Sequence, residues 1–236
     1  MKTTFQSNKR TARLAGFLFI CVCIPLSFWG ESYVWSVVFV PRDPVATANR
    51  LLSNETIFRA SIVSHIIGTF SFGFMVMLLF RLFRPVDKHL SRLMLVPVLA
   101  MIPIVFVLET LNFAALMILK GETRSTFAVT QQHEISYFLL RLQSYGFSGT
   151  KFFFGLCFIP FGMLVFRSRF LPRIFGFLLL VSGFAYIIDS LTYILLQRSD
   201  YLMVHKIVSY TSAGYVLTFL WLLIKSVRNP TNQAIS

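Results

Sequence analysis

Charge is what this chain has least of. Only 13% of its 236 residues are Asp, Glu, Lys or Arg, about half the roughly 25% of a soluble domain, and that shortfall excludes the soluble class. The acidic side is the poorer one, with nine Asp and Glu against 22 Lys and Arg. Cysteine is scarce too. Cys21, Cys23 and Cys157 all fall in apolar stretches, with no C-x-x-C and no His/Cys ligand spacing. Neither a zinc site nor a disulfide framework follows, and no metal or other cofactor is expected. The basic opening stretch, residues 1–13, leads into LAGFLFICVCIPLSFWG without a small-x-small cleavage site. A retained first helix is therefore expected, not a cleaved signal peptide.

What is present is apolar: 56% hydrophobic residues, 27 Phe and a mean hydropathy of +0.72. A hydrocarbon core of about 30 Å takes about 20 residues of helix. The pattern predicts an all-α polytopic membrane protein, a bundle of six transmembrane helices at about 12–37, 57–83, 93–119, 136–166, 174–196 and 202–224. Spans and short loops use the whole chain, so residues 1–236 form a single integral-membrane domain in this reading. The net charge of +13 points to anionic membrane lipid as partner, not to nucleic acid.

Orientation follows from the Lys and Arg count. With the N-terminus inside, thirteen lie on the cytoplasmic side and seven outside, so both termini are expected in the cytoplasm of a cell (inner) membrane protein. Pro25 should kink the first span. Asp43 before Pro44 is an N-cap and first-turn pair for a short helix reaching about Leu52. Ser61, Ser64, Gly68 and Ser71 form a small-residue stripe, as do Ser144, Ser148, Gly155 and Gly162, and such stripes let membrane helices approach closely.

Against this background the ionisable residues inside spans stand out. Lys151 lies sixteen residues before Arg167, and Asp189 sixteen after Arg173. At about 1.5 Å rise per residue both sit about 24 Å from the same face, which predicts an intramembrane Lys151–Asp189 ion pair. Glu31, His65 and Glu109 lie sixteen to eighteen residues from their own basic anchors, in the same layer. Such residues cost about 2.5–3.5 kcal/mol each on insertion scales and so face the interior. The layer predicts a polar pocket in the outer half of the bilayer. Its candidate lining is Glu31, His65, Glu109, Asn112, Tyr145, Lys151, Asp189 and Tyr193, and its ligand a small amphiphilic, cationic or lipid-like molecule that is bound or transported.

Two other readings stay open. One is a metal-dependent intramembrane hydrolase on His65, Glu31, Glu109 and Asp189, with His205 as the other nitrogen ligand near that side; most zinc sites need more than one nitrogen. The other is a structural or assembly subunit in which Lys151–Asp189 pins a hairpin. The balance leans away from an enzyme.

The residues ARLAGFLFI, VPRDPVATANRLL, LLFRLFRPVDKHL and the hairpin SYGF…FFGL…LPRIFGFLLLVSGFAYIIDSL together resemble the domain of unknown function 4386 family of bacterial integral membrane proteins. The resemblance runs from about Ala12 to Lys225 and implies a helical multi-pass protein, with no activity to carry over. It also implies a His where Gln143 stands and apolar residues near Lys151, so a family role for that His is absent here and Lys151 is particular to this chain.

Overall fold

The computed structural model describes residues 2–121, 127–168, 170–195, 205, 206, 208, 210 and 214–225, the side chains of 2–8, 28, 31, 32 and 194 excepted. Helices α1 (Lys2–Phe17), α2 (Ile24–Ser27) and α3 (Val34–Val38) are joined by two wide π-helical turns, Leu18–Cys23 and Phe28–Tyr33. Then follow α4 (Pro44–Ser53), α5 (Glu55–Phe83), α6 (Lys88–Leu119), α7 (Val129–Ser168), α8 (Arg173–Leu195) and α9 (Gly214–Ile224). No strand occurs among the described residues.

Among the described residues, five stretches are long and apolar enough to cross a bilayer: Lys9–Ser27, Glu55–Phe83, Lys88–Leu119, Val129–Ser168 and Arg173–Tyr193. With the shorter apolar α9 they make a polytopic helical membrane protein. The sixth predicted span, 202–224, is described in part: residues 205, 206, 208 and 210 are helical, and α9 covers Gly214–Ile224.

Pro25 sits in the single α-helical turn between the two π turns. Its ring meets the carbonyl four residues earlier, and its missing N–H leaves that carbonyl without a donor. Widening the preceding turn relieves both problems. Pro97 and Pro103, by contrast, lie within continuous α6, and Pro160 within continuous α7.

The chain divides into two compact units. The first comprises Met1–Val22, Ser71–Ile102 and Gly149–Ser236; the second comprises Cys23–Phe70 and Pro103–Ser148. In the first, α7 and α8 form a hairpin whose glycines bring the backbones together. A Cβ on Gly155 would lie 2.6 Å from the Gly183 carbonyl oxygen, and one on Gly162 would lie 2.8 Å from that of Gly176. Helix α1 packs on α9 by the same means, since a Cβ on Gly16 would meet the Leu223 nitrogen at 2.6 Å. Around these contacts Phe19 stacks on Phe219 at 4.0 Å, and Phe158 on Tyr215 at 5.2 Å.

The second unit is built on a core of Val34, Val38, Leu51, Phe58, Ala115, Leu116 and Leu140. Asp43 caps α4, its Oδ1 accepting from the Ala46 N–H at 2.8 Å. Just before it, Arg42 adopts φ 66° and its N–H donates to the Tyr137 hydroxyl at 2.8 Å. Serine hydroxyls tie helix to helix: Ser64 donates to the Leu26 carbonyl at 2.9 Å and Ser136 to that of Ala115 at 2.8 Å. Without water, such bonds are the natural outlet for a polar side chain in a span.

Candidate functional site

The second unit contains a cavity of about 260 Å³. Its polar wall is formed by Ser61 and His65 of α5, Glu109 and Asn112 of α6, and Gln143 and Ser144 of α7. Its apolar wall includes Val34 and Trp35 of α3, Phe58 of α5 and Phe147 of α7. Helical spacing explains the grouping. Ser61 and His65 are four apart, Glu109 and Asn112 three apart, and Gln143 and Phe147 four apart, so each pair shares one face of its helix.

At the centre is a buried carboxylate. Glu109 is 2% exposed. Its Oε1 lies 2.6 Å from His65 Nδ1, and its Oε2 accepts from Asn112 Nδ2 at 2.9 Å. The His65 ring stacks on Phe147 with centroids 4.8 Å apart. Glu109 is thus held from two sides, by an imidazole and an amide, with no Lys or Arg among the described residues lining the cavity. Asn112, itself buried, has its donor committed to Glu109, while its Oδ1 has no hydrogen-bond partner among the described residues.

A second buried carboxylate lies in the first unit. Asp189 of α8, also 2% exposed, accepts at Oδ2 from Lys151 Nζ at 2.9 Å. Its Oδ1 lies 2.8 Å from His205 Nδ1. Next to it, Ser190 donates to the Gly149 carbonyl at 3.2 Å, a further link across the α7–α8 hairpin.

The eight predicted pocket residues therefore divide. His65, Glu109 and Asn112 line the cavity of the second unit. Tyr145 belongs to the same unit but is 48% exposed, its hydroxyl accepting from Arg141 at 2.8 Å. Glu31 lies in the second π turn, and its side chain is outside the described residues. Lys151, Asp189 and Tyr193 belong to the first unit. The predicted hydrolase ligands divide in the same way, and among the described residues no three His, Cys, Asp or Glu side chains gather as a metal-ligand set.

Sequence reasoning passed over Trp35, Gln143, Ser144 and Phe147 as cavity residues, and His205 as a partner of Asp189. For Gln143 and Ser144 the available signal was a neutral polar pair close to Arg141 within a predicted span. For His205 it was its place on one side of a helix facing the α8 acid.

Comparison with known proteins supplies the family. The model of the family described as "Domain of unknown function (DUF4386)" matches residues 14–226. The chain belongs to this family. Within the DUF4386 frame, one similar protein is an "Uncharacterized protein" of Archaeoglobus fulgidus, 31% identical over 147 residues, which cover 62% of this chain and 72% of that protein. No solved structure matches the chain.

Proposed function

We propose that this DUF4386 protein binds or transports a small amphiphile whose polar head enters the cavity of the second unit. One observation carries the reading: a cavity of about 260 Å³ bordered by a buried carboxylate, an imidazole and an amide whose Oδ1 has no partner among the described residues. Leaving a buried acceptor unmade costs about 1–3 kcal/mol, and a ligand donor removes that cost. The volume lies just under the roughly 300–1,000 Å³ of whole-ligand pockets, which suits a head group more than a complete lipid.

The same proposal takes the protein as one integral-membrane domain of the cell membrane, with six spans, both termini cytoplasmic and the cavity in the outer half. Its support is the excess of Lys and Arg, thirteen against seven, on the assigned cytoplasmic side. Reporter fusions after Lys88 and after Arg169 should read cytoplasmic, and one after Gly121 external; the reverse pattern overturns the orientation.

Binding is tested by native mass spectrometry of the protein purified in mild detergent. Wild type should retain a co-purified small amphiphile, and Ser144→Trp, which fills the cavity, should lose it. A wild-type protein without bound amphiphile, or equal retention by the variant, defeats the reading.

A further inference from the structure

We infer that the head group taken by this cavity is a cation of the alkylammonium class. The inference rests on the reading of the cavity as a ligand site and narrows it to one chemistry. Charge is the first argument. The chain as a whole carries +13, yet the described cavity lining has no Lys or Arg, and its acid is Glu109. With Glu109 ionised, a neutral His65 leaves that wall at −1 and an imidazolium brings it to zero. Neither state attracts an anion, and an anion in a buried site without a counter-charge is strongly disfavoured. A phosphate or carboxylate head is therefore the wrong partner, although the chain is basic.

Hydrogen-bond polarity gives the second argument. Both Glu109 oxygens are acceptors, and Asn112, its NH₂ turned to Glu109, presents Oδ1 as a further acceptor. An ammonium N–H supplies the donor this arrangement lacks. The third argument is the aromatic part of the lining. Trp35, Phe58 and Phe147 are aromatic, and ring faces attract ammonium groups, more so when these are desolvated. A carboxylate and aromatic rings lining one cavity form a complementary surface for a cation bearing alkyl groups.

The test compares three probes with one tail and different heads: hexylammonium, 1-hexanol and hexanesulfonate. Each is titrated by calorimetry into the full-length protein in detergent, with matching detergent blanks. The ammonium probe should bind at least tenfold tighter than the other two. Glu109→Gln, which keeps the shape and removes the charge, should lower its affinity at least tenfold. Gln143→Lys, which adds a positive charge to the lining and leaves the Glu109 contacts in place, should reverse the order so that the sulfonate binds best. It keeps the test decisive if Glu109→Gln does not fold.

Alcohol or sulfonate binding as tightly as the ammonium, with the signal lost in Ser144→Trp, overturns the head-group inference and leaves the cavity reading standing. Ammonium binding unchanged by both charge variants also overturns the inference. No binding by any probe overturns the inference and the cavity reading together.

Discussion

The two buried carboxylates invite comparison because they match in so much. Glu109 and Asp189 are each 2% exposed, each has both oxygens engaged, and each meets a histidine Nδ1, at 2.6 Å and 2.8 Å respectively. The third partner differs. Asp189 faces the side-chain nitrogen of Lys151, and the pair closes on itself between α7 and α8. Glu109 faces the amide of Asn112, which brings no charge, and it borders open space. A buried carboxylate that is neutralised by a fixed cation serves to hold helices together. One held by an imidazole and an amide can still respond to whatever enters beside it. Under the proposed reading, the acid of the first unit has a structural part and that of the second unit a binding part.

The largest expected effect tests the structural half. Asp189→Leu or Lys151→Met alone leaves one charge in the bundle without its main partner, a loss on the order of 3–5 kcal/mol, whereas removing both is often nearly neutral. Thermal melts in detergent should show the double variant recovering much of what either single variant loses. His205 modifies the outcome, since Asp189→Leu deprives both Lys151 and His205 of their acceptor and should be the worse single change. Additive losses in the double variant would break the assignment of Lys151–Asp189 as a mutual pair.

Next in size is the contact that lets that pair form. Gly155 and Gly183 meet backbone to backbone, so Gly183→Leu must push α8 off α7. Overpacking of this kind costs about 1–3 kcal/mol. Lys151 and Asp189 span the same two helices, so the variant should also weaken the coupling measured in the Lys151/Asp189 cycle. Unchanged coupling would mean that the ion pair does not depend on the close approach.

Glu109→Gln should matter less to stability than Asp189→Leu. The amide keeps an acceptor for Asn112 and a group opposite His65, so the expected loss is about 1–2 kcal/mol, the scale of one weakened buried hydrogen bond. Its larger effect should be on retention of an amphiphile. A loss equal to that of Asp189→Leu would erase the distinction between the two sites.

How much of this could be read beforehand turns on what counting along a helix measures. Sixteen residues on either side of the turn at Arg167 and Arg173 give a height for Lys151 and Asp189, but not a rotation. Height alone left Lys151 with Asp189, Glu109 or Glu31 as partner. It also placed Tyr145 beside Glu109, although about half a turn of α7 separates Gln143 and Phe147 on the cavity face from Tyr145, which meets Arg141. Gln143 and Ser144 were not read as cavity residues because a neutral polar residue costs less to bury than a charge and stands out less within a span. The two π turns around Pro25 were out of reach for a different reason. A proline announces that the ladder must give way, but whether by a bend or by wider turns depends on the neighbouring helices.

The smallest effect concerns a third carboxylate, which extends the comparison to water. Asp87 lies in the turn between α5 and α6, outside both spans. Its Oδ1 accepts from the backbone N–H groups of His89 at 2.9 Å and Leu90 at 3.0 Å, and its Oδ2 pairs with Arg167. The Leu90 N–H, with Arg167 and the His89 N–H, holds its carboxyl below the ordinary value of 3.8. A carboxylate whose folded value is depressed stabilises the protein above its unfolded value, and that contribution disappears as pH falls through the folded value. Lowering the pH from 6 toward 3 should therefore cost wild type slightly more melting temperature than Asp87→Asn, which retains the cap on α6 but carries no charge to titrate. At neutral pH the two should differ little, since exposed ion pairs contribute little. A neutral-pH loss rivalling that of Lys151→Met would show that burial is not what separates a strong pair from a weak one in this protein, and the comparison of Glu109 with Asp189 would need another basis.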